Sequence, residues 1–154
     1  MMGINIRAKG AGGEREICDV LNSIIQDTMR ILKFPSKEVE AAGRTVQRNQ
    51  NQSAVGGNDL TNTFGLSIEV KRQEQLAINT WWAQCLAAAN RNNEHPVLLY
   101  RQNGKKWQCV TIGYLELPDG KFVKTRVAFD FDSFKDWFHA WVHEKLSTGE
   151  QVRT

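Results

Sequence analysis

Long apolar runs are missing from this 154-residue chain, and none approaches the ~20 residues that a bilayer span needs. A membrane protein is therefore not expected. The N-terminus also lacks the apolar core of a signal peptide, which points to a cytoplasmic protein. Cysteine is scarce: Cys18, Cys85 and Cys109 lie far apart, are odd in number and show no C-x-x-C spacing. That speaks against a disulfide framework or a zinc site, and for small buried apolar side chains in a reducing compartment. Strong charge of either sign is missing too. A net charge of +3 does not by itself announce a nucleic-acid binder, although acids gathered in a metal site would mask a basic face. The chain contains no internal repeat, long linker or low-complexity tract.

What is present reads as one ordinary globular domain, 41% hydrophobic and 24% charged. Residues 1–12 are polar, glycine-rich and basic, and read as a flexible arm. From Glu14 onward Ile17, Val20, Leu21, Ile24 and Ile25 follow the spacing of an amphipathic helix. At 100° per residue Glu14 falls inside that apolar stripe. It either favours the positive end of the helix dipole or reaches inward to a site. Phe34-Pro35-Ser36 closes this region, and residues 36–43 form a short helical or irregular link. Arg44–Gln52 alternates weakly, as a strand would, before a turn-rich loop from Ser53 to Asn58.

The most informative stretch runs from Gly56 to Arg72. It sets Asp59 after a glycine pair, turns at Phe64-Gly65, and then places Glu69 and Lys71 on a β-branched run. Strand side chains alternate, so Glu69 and Lys71 share a face. A β-hairpin here would bring Asp59 close to Glu69. Two carboxylates and an ammonium converging in that way could hold a divalent metal and steady an attacking water.

Further on, Ile78, Trp81, Trp82, Cys85 and Ala89 form the stripe of a helix from Ile78 to Asn92. Val97–Tyr100 has the look of a strand buried on both faces. The order of strand, helix and strand from Leu66 to Tyr100 suggests a crossover unit. Asn103-Gly104 turns into a strand from Lys106 to Ile112. Pro118-Asp119-Gly120 turns a second hairpin between Tyr114–Leu117 and Phe122–Phe129. Asp132 or Ser133 would cap a last helix carrying Phe134, Trp137, Phe138, Trp141 and Val142. The expected fold is α/β, with a mixed central sheet flanked by helices.

Several residues have competing readings. His139 and His143 have a spacing that can bind zinc, but without further ligands nearby they read as surface or satisfied core side chains. Trp81, Trp82, Trp137 and Trp141 could stack on bases, yet their helical spacing argues first for core or interface.

The set Asp59-x9-Glu69-x-Lys71 with Glu14 on a preceding helix resembles the PD-(D/E)xK nuclease superfamily. More narrowly, the chain is similar to archaeal-type Holliday junction resolvases and their bacteriophage relatives. The likeness begins at Arg7-Ala-Lys9-Gly10 and Gly13-Glu14-Arg15-Glu16. It continues through Gly57-Asn-Asp59, Ile68-Glu-Val-Lys71, Pro96–Tyr100 and Lys106-Trp-Gln, covering about residues 7–112.

The resemblance implies a restriction-endonuclease-like nuclease core over residues 13–112, with an extra C-terminal hairpin and helix over 113–146. It further implies Asp59 and Glu69 as metal-binding carboxylates with the Val70 carbonyl, Glu14 as a further ligand direct or through water, and Lys71 as the residue that orients the attacking water. Asn58 stands where the superfamily's name has proline. Ser53 and Gln84 are implied as accessory residues, and Gln84 reads equally well as a solvated helix glutamine. Arg7, Lys9, Arg44, Arg48, Arg72, Lys105 and Lys106 are candidate phosphate contacts, though any one of them alone reads first as a solvated surface charge.

The activity so implied is that of an Mg²⁺-dependent (alternatively Mn²⁺-dependent) endodeoxyribonuclease. It would resolve four-way DNA junctions in recombination or repair as a homodimer, in a bacterial cytoplasm if phage-encoded, with no small-molecule substrate. The alternatives are a restriction- or repair-type endonuclease on the same core, or a DNA-binding module without catalysis.

Overall fold

The computed structural model describes residues 2–49 and 58–149, with side chains from Gly10 onward within that range. A four-stranded sheet runs in the order β3 (Leu66–Gln73), β4 (His95–Gln102), β5 (Gln108–Glu116), β6 (Phe122–Asp130). β3 and β4 are parallel and the remaining pairs antiparallel. The sheet is therefore mixed, and the fold is α/β as expected.

Helix α1 (Met2–Ile31) and helix α4 (Phe131–Ser147) pack against each other on one face of the sheet. The main core lies there, built from Ile17, Leu21 and Ile25 of α1, Ile68 and Val70 of β3, and Phe134 and Phe138 of α4. Helix α3 (Ile78–Asn92) covers the other face, where Trp81, Trp82 and Cys85 meet Leu98 and Val110. Both α3 tryptophans are core residues, while Trp137 and Trp141 sit half-buried along the edge of the larger core. None of the described helices is long and apolar enough to cross a membrane.

Five expectations about local structure change. The segment read as a flexible arm is helix from Met2, so α1 begins well before Glu14. Glycine costs a helix roughly 1 kcal/mol against alanine, but extending a formed helix avoids the nucleation penalty. At Gly13 packing favours glycine, since a Cβ there would lie 3.2 Å from the Trp107 ring, which would have to give way by a few tenths of an ångström.

The expected strand from Arg44 is a 3₁₀ turn (Ala42–Arg44) followed by a two-residue strand, β1 (Gln47–Arg48). It follows the short helix α2 (Ser36–Ala41). The expected hairpin across Phe64-Gly65 does not form as a ladder: β2 (Leu60–Thr61) pairs with β1 in a separate sheet. Asn62 and Phe64 adopt positive φ, which turns the chain too sharply for β2 to run along β3.

The two strands expected at 106–112 and 114–117 are one, β5. Gly113 does not interrupt it because the space of its missing side chain is taken by Val127, 2.9 Å from an ideal Cβ. Asp130, not Asp132 or Ser133, caps α4, accepting a 3.0 Å hydrogen bond from the Ser133 N–H.

Candidate active site

Strand β3 is an edge strand, and its free edge faces the loop that carries Asp59. The Asp59 N–H donates to the Ile68 carbonyl at 3.1 Å, and the Val70 N–H donates to Asp59 Oδ2 at 2.7 Å. A residue's N–H and C=O leave a strand on the same side, so the Val70 carbonyl also points to the Asp59 edge. Three further bonds fix the loop. Asp59 C=O accepts from the Asn49 N–H at 2.8 Å, Asn58 C=O accepts from the Asn49 amide at 2.9 Å, and the Asn58 amide donates to Glu94 Oε1 at 3.1 Å. Asn58 thus ties the chain beside Asp59 to Glu94 by its side chain, where proline would act by a fixed φ.

Asp59 and Glu69 are each 7% exposed, and their carboxyl groups hydrogen-bond to one another. Burial pushes the Glu69 carboxyl up to about 8, helped by the charge and hydrogen bond of Asp59 and opposed by the Lys71 ammonium. Burial likewise raises Asp59, opposed by the Val70 N–H and by Glu69. The two carboxyls therefore favour protonation more than either would alone, and titrate as a pair. Lys71 lies two residues beyond Glu69 on the same face of β3 and is half-buried. Cys85 of α3 abuts this face, its thiol 3.8 Å from the Ser67 carbonyl and pushed up to about 12 by burial, with Glu69 adding to the shift.

Glu14 is buried and its charge is felt at both Asp59 and Glu69, but its Oε1 accepts a 2.8 Å bond from Arg48 Nε. Among the described residues no group of three or more His, Cys, Asp or Glu side chains gathers at metal-holding spacing. The structure thus brings Asp59, Glu69 and Lys71 together and turns Glu14 to an arginine. Beside two buried carboxyls, a third acid is better offset by a cation than added to the pair.

Glu16, one position past the apolar stripe, anchors α1 to the far strands through the Trp107 Nε1–H at 2.9 Å and Arg101 at 3.3 Å. Arg48 lines an open cavity of about 470 Å³ together with Arg15 and Arg44. Arg72 follows Lys71 on the opposite face of β3, with a buried Nε that has no hydrogen-bond partner among the described residues. Lys105 and Lys106 are exposed in the turn after β4, and Gln84 is exposed on α3. Ser53 and the side chains of Arg7 and Lys9 lie outside the described residues.

Asn49, Asn58 and Glu94, which fix the Asp59 loop, were not picked out as site residues from the sequence. Two of them are ordinary loop asparagines, and only the G-N-D sequence at 57–59 hinted at a built turn.

The donor set fits a divalent cation. Two carboxylates and a strand carbonyl on one edge are hard oxygen ligands of the kind Mg²⁺ takes while keeping several waters.

A buried carboxylate pair and a lysine at the edge of a mixed α/β sheet make a candidate site for metal-assisted hydrolysis. The family comparison agrees: residues 5–141 match the family described as "phage putative PDDEXK endonuclease". The chain belongs to that family, and its activity is that of a nuclease. The match takes in the C-terminal hairpin and most of α4, beyond the stretch over which the sequence resemblance ran. Among solved structures the chain is similar to Hjc of Archaeoglobus fulgidus, a Holliday junction resolvase. The identity is 16% and the TM-score 0.38, over 60% of this chain and 85% of that one. No curated protein matches the sequence.

Proposed function

We propose that the protein is an Mg²⁺-dependent, structure-selective endodeoxyribonuclease that cuts four-way DNA junctions as a homodimer. The observation that carries this is the buried pair of Asp59 and Glu69 at the edge of β3, Asp59 held by the Val70 N–H, with Lys71 beside it. Asp59, Glu69 and the Val70 carbonyl would hold the cation, and Glu14 would bear on it from α1. A divalent ion held there lowers the pKa of a water and offsets charge on the scissile phosphate.

The chain's own residues do the rest. On becoming ligands Asp59 and Glu69 would give up any proton they hold, and the cation would pair with the charge so uncovered. Lys71 orients the attacking water toward phosphorus and counters the charge that builds on the phosphoryl oxygens. Hydrolysis breaks one P–O bond and forms another, the water supplying hydroxyl to phosphorus and a proton to the leaving oxygen. Arg15, Arg44 and Arg48 flank the cavity beside Glu14 and would receive a neighbouring backbone phosphate as a bidentate guanidinium contact. Such contacts read shape and charge, not sequence. Two symmetric cuts in one junction need two sites, which a two-fold dimer supplies.

The family match speaks for an endonuclease without specifying its DNA, so a restriction- or repair-type endonuclease is the second reading. Competition between a labelled four-way junction and excess flap, duplex or single strand separates the two. Junction cleavage that resists all three competitors is expected. Equal loss to linear duplex would refute junction selectivity.

A further inference from the structure

Buried polar groups are nearly always hydrogen-bonded, so each one that is not calls for a cause. Among the described residues two buried side-chain polar atoms have no partner, Arg72 Nε and Ser67 Oγ. Arg72 is only half-buried and lies on the α1 face of β3, beside Gly13. Ser67 is different. It is 0% exposed, so bulk solvent does not reach its hydroxyl. It stands second in β3, between Leu66 and Ile68, where alanine would fill nearly the same space without a hydroxyl to desolvate. Packing accounts for a small side chain at this position and leaves its oxygen unexplained.

The surroundings of that oxygen lead to the candidate site. Side chains alternate along a strand, so Ser67, Glu69 and Lys71 share the face of β3 that α3 covers. Ser67 and Glu69 are two residues apart, about 6.7 Å along the strand. A glutamate side chain leaning along its strand can span that gap to a serine hydroxyl. Cys85 of α3 covers the same spot, but its thiol donates to the Ser67 carbonyl at 3.8 Å and leaves the hydroxyl alone.

Glu69 has the complementary need. Its carboxyl hydrogen-bonds to that of Asp59, and among the described residues it has no other hydrogen-bond partner. Two carboxylates that ligate one cation no longer bond to each other, and a ligating carboxylate is normally fixed by a donor of its own. Asp59 already has one in the Val70 N–H at 2.7 Å. Lys71 is engaged with the water and phosphate in the reaction proposed above. On the α3 face of β3 the Ser67 hydroxyl is the buried donor left over.

We infer that Ser67 is a positioning residue of the cation site, its hydroxyl donating to the Glu69 carboxylate once Glu69 ligates a divalent cation. Ser67 touches neither cation nor DNA and acts through Glu69 alone. Its orphaned hydroxyl is a cost of the metal-free chain that the loaded site relieves, so the same group tightens cation binding. The inference rests on the cation site proposed above and adds a residue to it.

Melting of the full chain across an Mg²⁺ titration tests it, with wild type, Ser67→Ala and Ser67→Cys followed by circular dichroism. Ser67→Ala removes the oxygen alone. Without metal it is expected to melt at or above wild type, because an unpaired buried hydroxyl has gone. Its Mg²⁺ dissociation constant is expected to rise about 10-fold or more. Ser67→Cys keeps a weak donor and is expected to fall between the two. A residue that merely packed would not separate stability from affinity in this way.

Wild-type Mg²⁺ affinity in Ser67→Ala overturns the inference and leaves the cation site standing. Metal-free Ser67→Ala that melts well below wild type, or does not fold, also overturns it, since the hydroxyl would then be bonded in the metal-free chain. Wild-type melting indifferent to Mg²⁺ would remove the cation site itself, and this inference with it.

Discussion

The two edges of the sheet make opposite uses of their side chains. At the β3 edge, charged groups are buried: Asp59 and Glu69 are 7% exposed, and a lattice of backbone and asparagine hydrogen bonds holds them in place. At the β6 edge, apolar groups are exposed and no helix covers the distal ribbon. Each arrangement costs stability in an isolated chain. Buried like charges are resisted by desolvation and repulsion, and exposed aromatics by water. Such departures from the usual inside–outside rule mark function. The nuclease chemistry is proposed at the β3 edge.

The comparison can be broken most strongly at the β3 edge. Lys71→Ala should lower cleavage on the order of 10²–10³-fold while a gel-shift assay still shows DNA binding. Retained cleavage would remove lysine from the chemistry. Next in size, Phe134→Ala should destabilise the fold by about 3–5 kcal/mol in urea unfolding, because Phe134 is fully buried between α4 and the sheet. Phe122→Ala, removing a ring of the same size from the ribbon, should cost the monomer about 0.5 kcal/mol or less. Similar losses at the two sites would mean that the ribbon is packed in solution.

A pH series sharpens the contrast further. The folded-state pKa of Glu69 is raised to about 8 from an ordinary 4.5, so the folded protein holds that proton more tightly than the unfolded chain. Its stabilising effect is full below the ordinary value and is lost as pH rises through about 8. The melting temperature without metal should therefore fall between those limits. Added Mg²⁺ should raise it more at the alkaline end, where no proton competes for the carboxylates. A melting curve indifferent to Mg²⁺ throughout would count against a built cation site. Smaller again, Asn58→Ala leaves the half-buried Glu94 without its amide donor and should cost about 1 kcal/mol. Its cleavage should fall more than its stability, since the same turn positions Asp59.

The sequence was most legible where one period dominated. The stripe from Ile78 marked α3 to its last residue, because its apolar side chains face a single sheet surface and Asn93 stops it in a left-handed conformation. The run at 97–100 marked β4 because both of its faces are covered. The N-terminus was misread because Gly10, Gly12 and Gly13 signal a loop by local propensity, while the reason for Gly13 is the Trp107 ring, distant in sequence. β1 and β2 were obscured for a similar reason: two-residue strands carry no period, and their pairing depends on positive φ at asparagine and phenylalanine.

At the site, alternation along a strand is a local rule and put Glu69 and Lys71 on one face, while Asp59 was reached through an expected hairpin that does not form and through the family resemblance. The partner of Glu14 was not legible. Arg48 lies 34 positions away, and only the folded chain sets it beside α1.

The most direct test of the central claim uses Asp59→Asn, which keeps an oxygen to accept the Val70 N–H but cannot serve as an anionic ligand. A four-way junction labelled on each strand in turn is incubated with wild type or variant, in Mg²⁺ and in chelator. The account predicts paired, symmetric nicks from wild type in Mg²⁺ alone, and none from Asp59→Asn although it still binds the junction. Paired nicks from Asp59→Asn, or from wild type in chelator, would contradict it.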